Sequence, residues 1–290
     1  MKTRNLALLS DLHIDRNGFG NFEMTALKNV LSAADVTDVH IAGDLSNDWK
    51  GLSASFLEDL SADGFSVTAT LGNHDMLGLT ESEIQAEDFQ VHGIGHSILL
   101  AFNGWYDYSF YQDLSADDTS IQHFKNNFYF DRKILRADND KVTTDKTLLR
   151  LTEILSQLTA HFPADKIIVA LHFVPEQSFI LNTRYEKFAR FNAFLGAARF
   201  HDIFKTFHIK NVVFGHIHQR FQPRTIDGVT YQARPLGYVY EWQLTRNFQP
   251  DFLPPRKHYN AIKHLPDWPT YRDHHFPEEL KQSLVIFRDL

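Results

Sequence analysis

Cysteine is absent from the 290 residues, so neither a disulfide framework nor a thiolate metal site can form. Any metal must sit on imidazole, carboxylate or amide donors, which points to borderline or hard ions. Long runs of one charge are also missing. Lys+Arg 29 against Asp+Glu 36 leave a formal net charge of -7, with no basic stripe of the kind that neutralises many phosphates, so nucleic acid is not a favoured partner. No apolar stretch approaches the roughly 18 residues needed to cross a bilayer. The N-terminal run Leu6 to Leu9 is too short for a signal peptide and leads straight into Asp11-Leu12-His13. A cytoplasmic location is therefore expected. Internal repeats and low-complexity tracts are absent as well.

Apolar material is plentiful: 43% of residues are hydrophobic and 13% aromatic, enough for a packed core and too much for bulk disorder. Five short runs carry the Val/Ile/Leu bias of strands buried on both faces: Leu6 to Leu9, Val39 to Ala42, Val67 to Leu71, Ile167 to Leu171 and Val212 to Phe214. Between the first three lie helical faces, Leu27, Val30, Leu31 and Ala34, then Leu52, Phe56, Leu57 and Leu60. This alternation predicts an α/β sheet. A helix with Asp145 as its N-cap is expected over Leu148 to Leu158, a long helical segment over about Glu186 to Phe207, and further strands near Val229 to Ala233 and Ser283 to Phe287.

The chain reads as one domain over 1–290 with two segments of different texture. Residues 103–140 scatter Trp105, Tyr106, Tyr108, Phe110, Tyr111, Phe124, Phe128, Tyr129 and Phe130 among polar residues, as an insertion or lid would. Their rings could form a substrate platform or simply pack the insertion onto the core. Residues 247–278 carry Pro250, Pro254, Pro255, Pro266, Pro269 and Pro277, and read as a long irregular surface segment.

Each of the five runs ends, on its C-terminal side, in candidate metal donors. These are Asp11 and His13, Asp44 after Gly43, Asn73 after Gly72, His172, and His216 and His218 after Gly215. In open α/β sheets, sites form in the crevice at the carboxyl ends of the strands. In extended backbone, residues two apart point the same way, so Asp11 with His13 and His216 with His218 would each aim at one cavity, with Leu12 and Ile217 turned to the core. The glycines permit sharp turns and close backbone approach. Seven donors are too many for one transition ion. Two ions about 3.5 to 4 Å apart need a bridge, for which Asp44 on a central strand is the natural candidate, and such a pair acidifies a water for attack on phosphorus. The mixture of carboxylate, imidazole and amide suits Mn, Fe or Zn better than Ca.

Asp11-x-His13, Gly43-Asp44, Gly72-Asn73-His74-Asp75, a lone His172 and Gly215-His216-x-His218, in this order, resemble the calcineurin-like metallophosphoesterase superfamily. The resemblance implies a four-layer sandwich of two mixed β-sheets flanked by helices, two divalent or trivalent transition-metal ions, and hydrolysis of a phosphate mono- or diester on a small molecule. It also implies that Asp11, His13, Asp44 and His218 hold one metal while Asp44, Asn73, His172 and His216 hold the other. His74 would face the leaving group and protonate the departing oxygen.

One departure stands out. The Ser/Thr protein phosphatase branch has Asp and Arg three and four places after the bridging Asp, where this chain has Asn47 and Asp48. That argues against a protein phosphatase, and leaves Asp75 as a candidate to orient His74. Arg234, in the Arg234 to Tyr238 stretch, could return to the site to bind phosphate or lie in a surface turn. A nuclease or nucleotide hydrolase of the same superfamily, and a non-catalytic metal-binding interaction module, are the rival readings; the latter would be expected to lose donors or His74, and all are present.

Overall fold

A computed structural model describes residues 3–111, 117–183, 185–249 and 253–290. Ten strands follow in order: β1 (Leu6–Leu9), β2 (Asp38–Ala42), β3 (Ser66–Thr70), β4 (Gln90–Ile94), β5 (Ser97–Phe102), β6 (Ile167–Leu171), β7 (Asn211–Phe214), β8 (Arg224–Ile226), β9 (Val229–Gln232) and β10 (Val285–Phe287). They form a four-stranded sheet ordered β10-β1-β2-β3 and a six-stranded sheet ordered β4-β5-β6-β7-β9-β8. Both are mixed, because β1 to β3 and β5, β6, β7 and β9 run parallel while β10, β4 and β8 pair antiparallel at the edges.

Doubly apolar strands make the layers. In β1, Leu6 and Leu8 face the opposite sheet, while Ala7 and Leu9 face helices. In β6, Ile168 and Ala170 meet the first sheet, and Ile167, Val169 and Leu171 meet the helices beyond. Such burial on both faces is what a period-free apolar run provides. The helices Asn21–Ala33, Ala54–Ala62 and Trp268–Gln282 cover one sheet; Asp140–His161 and Arg199–Thr206 cover the other. The architecture is helix, sheet, sheet, helix: a four-layer α/β sandwich. Among the described residues no helix is long and apolar enough to cross a membrane.

Several boundaries differ from the sequence expectation. The helix containing Leu148 starts earlier, at Asp140, capped by Asn139, whose Oδ1 accepts from the Val142 N–H at 3.0 Å. Asp145 lies inside it, paired with Arg199 at 2.7 Å. The expected helix from Glu186 to Phe207 is broken into Glu186–Ala189, a tighter turn Arg190–Phe194, and Arg199–Thr206. The break lies where Leu195 and Ala197 pair with Val174. Gly196 is needed there, since a Cβ would fall 1.9 Å from the Val174 carbonyl oxygen. Leu52 sits in a wide turn ahead of Ala54–Ala62 and is exposed rather than core-facing.

The Pro-rich stretch 247–278 is not irregular. It holds the helix Pro255–Ile262 and most of Trp268–Gln282, with Pro255 and Pro269 in first turns, where a missing N–H removes no helical bond. His258, Ile262, Trp268 and Phe276 are buried; Pro250 lies outside the described residues. In the 103–140 stretch, Trp105, Tyr106 and Phe110 are fully buried, and the helix Asp118–Phe128 packs Ile121 and Phe124 against Phe194 in a separate aromatic cluster.

Candidate metal centre

The carboxyl ends of β1, β2, β3, β6 and β7 meet at one end of the two sheets. All seven expected donors come together there, in two groups that share one residue: Asp11, His13, Asp44 and His218, and Asp44, His172 and His216, each group's donor atoms lying within 4.8 Å of one another. The Oδ1 of Asn73 joins the second group, 3.1 Å from His172 Nε2.

The loops achieve this convergence differently from the way strand alternation predicts. Asp11 (φ 57), His13 (φ 42), Asp44 (φ 57), His216 (φ 68) and His218 (φ 52) all adopt left-handed backbone. Each pair therefore converges through consecutive tight turns, with Leu12 and Ile217 still buried between. For residues with a Cβ this conformation costs roughly 1–2 kcal/mol each. Such strain, concentrated at one place, marks functional sites that the surrounding structure over-determines. Here the restraint is backbone pairing: Asp11 N–H donates to Gly43 O and His13 N–H to Asp44 O, both at 3.0 Å. The His216 N–H donates to the Asp11 carboxylate at 3.0 Å. Of the three glycines at the centre, Gly72 allows the closest approach, since a Cβ there would lie 2.2 Å from Asp44 Oδ1.

Donor spacing fits cations. His13 Nε2 and His218 Nε2 lie 3.0 Å apart, and His218 Nε2 lies 3.2 Å from Asp11 Oδ1. In the second group His172 Nε2 is 3.1 Å from His216 Nδ1 and 3.4 Å from Asp44 Oδ1. Donors on bonds of about 2.0–2.2 Å to one ion are separated by about 3 to 3.6 Å. Buried imidazole lone pairs this close need a proton or a metal between them.

Neighbours hold three of the four imidazoles in register. His172 Nδ1 donates to Ala42 O at 3.1 Å, His218 Nδ1 to Glu241 Oε2 at 2.8 Å, and His216 Nε2 to Phe194 O at 3.2 Å. In each case the other nitrogen is left to face the centre. The Asn73 amide is oriented by its NH2, which donates to Asp131 Oδ1 at 2.8 Å. Electrostatics follow from this packing. Burial lowers the His218 pKa, but hydrogen bonds to Asp11 and Glu241 outweigh it and hold the ring well above its ordinary value. His172 is likewise raised to about 9, burial being overcome by Asp44. His216 falls to about 3, through burial and the neighbouring His172 charge. Asp44 stays well below its usual value because His172 and His74 outweigh its burial.

His74 lies at the rim of this centre. Its backbone N–H donates to Asp44 Oδ1 at 2.8 Å, and its ring stacks on Phe130 at 3.9 Å. Asp75 does not orient it. The Asp75 carboxylate instead accepts the backbone N–H groups of Asp44, Leu45, Ser46 and Gly72, at 2.6 to 2.9 Å, and ties two loops together. The partner of His74 is Asn47, whose Oδ1 accepts from Nδ1 at 2.9 Å while its NH2 donates to Asp15 Oδ2 at 2.5 Å. The opposite nitrogen, Nε2, faces the Tyr238 hydroxyl at 3.3 Å.

Four contributors were not read from the sequence. Glu241 and Tyr238 come from the segment after β9; there the chain does return to the site, but Arg234 turns away to the Gln282 carbonyl. From the 103–140 stretch come Asp131 and Tyr129, whose hydroxyl lies 3.2 Å from His216 Nε2. Tyr129, Phe130 and Asp131 thus contact His216, His74 and Asn73 in turn. A Gly-x-x-x-Glu spacing after a strand, or a lone Tyr-Phe-Asp, carries no signal strong enough to find them. Replacing Glu241 with Gln removes the charge behind His218, and we expect metal affinity to fall by about 10- to 100-fold with the fold retained; competition with a fluorescent chelator measures it, and an unchanged affinity would show that Glu241 only braces the Tyr238 turn.

None of the curated proteins matches this chain. Among solved structures, a phosphopantetheinyl hydrolase from Mycobacterium tuberculosis is similar at 18% identity and TM-score 0.61, over 86% of this chain and 93% of that one. A dimetal phosphatase from Danio rerio is more distant, at 12% identity and TM-score 0.48, over 79% and 86% of the two chains. The first likeness supports the sandwich fold. Residues 4–220 match the model of the calcineurin-like phosphoesterases, and the chain belongs to that family.

Proposed function

We propose that the protein is a dinuclear metal-dependent phosphohydrolase acting on a phosphate mono- or diester of a small molecule. The observation that carries this reading is the sharing of Asp44 between two donor groups, which gives one carboxylate the position of a bridge. When bound, two ions of the Mn, Fe or Zn type would supply Lewis acidity to polarise the phosphoryl oxygens and acidify a water for in-line attack.

The chain's own residues do the rest. Asp11, His13, Asp44 and His218 would hold one ion; Asp44, Asn73, His172 and His216 would hold the other. Glu241, Asp131 and the Ala42 carbonyl fix the orientation of these donors. His74, anchored through Nδ1 to Asn47, presents Nε2 beside the Tyr238 hydroxyl; in its imidazolium form it can place the Nε2 proton on the departing oxygen, and Tyr238 is a second donor. Burial holds the His74 pKa below its ordinary value, with Asp44 opposing. A neutral Asn47 in place of a carboxylate accepts the Nδ1 proton in both the neutral and the imidazolium ring without adding charge behind it.

The test is hydrolysis of bis-p-nitrophenyl phosphate and p-nitrophenyl phosphate by metal-stripped protein reloaded in turn with Mn, Fe, Zn, Ni and Mg. Metal-dependent turnover with two ions per chain is expected, and the ratio of diester to monoester rates ranks the two substrate types. Two ions bound with no turnover of any phosphoester would overturn the reading.

A further inference from the structure

Beside His74 lies a cavity of about 440 Å³, walled by segments distant in sequence. Arg16 comes from the turn after β1, Tyr238 and Tyr240 from the segment after β9, and Arg256 and Tyr259 from the helix Pro255–Ile262. That helix is placed by its other face, because His258 and Ile262 are buried and His258 Nε2 meets the Thr245 and Phe248 carbonyls at 3.1 Å. Arg256 and Tyr259, three apart, then share the face that turns to the cavity.

Two features of this wall extend beyond the metal centre. The first is a staircase of rings: Tyr238 stacks on His13 at 4.4 Å and Tyr240 on Tyr238 at 5.2 Å, each pair inclined by 22°. It carries a flat aromatic surface from a candidate metal donor out into the cavity. The second is a pair of guanidinium groups with little to neutralise them. Arg256 has no ion pair among the described residues, and Arg16 has only Asp15, at 3.7 Å. Both line the cavity with Tyr240, whose phenol is raised to about 12 by burial and Glu241 while Arg256 and Arg16 oppose that rise.

We propose that this cavity is a leaving-group subsite that takes a planar nucleoside ring against Tyr240 and a second phosphate between Arg16 and Arg256. The substrate class is then a phosphoester whose leaving group is itself a phosphorylated nucleoside. Base-to-ring stacking is tolerant of base identity, and guanidinium forks match phosphate oxygens, so the two features together select this shape and charge. The inference rests on the phosphohydrolase reading in placing the leaving group at His74. In the reaction, the water oxygen forms a bond to phosphorus and the bond from phosphorus to the nucleoside oxygen breaks with its electron pair. That oxygen takes the proton from His74, and the proton lost by water restores His74.

The probe is adenosine 3′,5′-bisphosphate, compared with adenosine 3′-monophosphate on the metal-loaded protein. The bisphosphate should be hydrolysed with kcat/KM about ten-fold higher, a factor equal to roughly 1.4 kcal/mol, mainly through KM. Arg16→Ala and Arg256→Ala should each bring the ratio of the two substrates towards one. A wild-type ratio within about two-fold of one, or a ratio unmoved by both substitutions, overturns the subsite. Calorimetric binding of the same bisphosphate separates the two readings. Binding weakened by either arginine change would sustain the subsite even if no phosphoester were cleaved, while turnover of bis-p-nitrophenyl phosphate without bisphosphate binding would remove the subsite and leave the enzyme.

Discussion

Asp44→Asn should lose metal and activity together: at most one ion per chain, and kcat for bis-p-nitrophenyl phosphate lower by on the order of 10³-fold. The amide keeps the shape of the side chain and can still accept the His74 N–H, so the turn after β2 should survive. It cannot supply the negative charge that both donor groups share, nor bridge two cations through two anionic oxygens. Asp44 also offsets the burial of His172, so the substitution should lower that imidazole's pKa as well. Elemental analysis of dialysed protein beside the activity assay is the check. Full occupancy of both positions in the variant would refute the bridge.

His74→Ala separates metal binding from chemistry. His74 is in neither donor group, so metal content should stay near the wild-type level. For substrates with poor leaving groups kcat should fall by about 10²- to 10⁴-fold, the usual contribution of a positioned acid. For p-nitrophenol, which departs readily as an anion, the loss should be much smaller. A plot of log kcat against leaving-group pKa should therefore steepen in the variant. If the slope is unchanged and all substrates lose equally, His74 is not the acid, and the Tyr238 hydroxyl at 3.3 Å is the next candidate.

The donors were legible in the sequence because each follows a short apolar run; four of the five runs are strands buried along nearly their whole length, while β3, with Thr68 and Thr70 on one parity, is partly exposed at its start. Asp11 and His13 are brought together by left-handed turns rather than by alternation along a strand. Leu99 to Phe102 has the same apolar-run pattern and ends at Asn103, whose Oδ1 accepts the Leu71 N–H at 2.8 Å. Its signal is masked by the aromatic texture beyond Asn103, which reads as an insertion. The short hairpin β4-β5 around Gly95 and His96 was missed for a related reason, since β4 is half exposed and carries Gln90, His92 and Gly93. Proline misled in the opposite direction: a count of prolines does not distinguish breaks from first-turn positions, and Pro255 and Pro269 start helices. Asn47 stands three places after Asp44, a position the family resemblance marks, but partners such as Glu241 and Asp131 carry no local signal at all. Their roles depend on which loops pack against the centre, and no local spacing encodes that.

The two donor groups straddle the seam of the sandwich. Asp11, His13, Asp44 and Asn73 leave strands of the four-stranded sheet, while His172, His216 and His218 leave strands of the six-stranded one. Each ion held here would be a cross-link between layers that otherwise adhere through small and aliphatic side chains such as Ala42, Ala101 and Ala170. By mass action, an ion that binds only the folded chain, at 1,000 times its dissociation constant, adds about 4 kcal/mol to stability. The same cations that would activate water would thus be rivets of the fold, and metal availability would set how long the folded chain lasts as well as how fast it turns over.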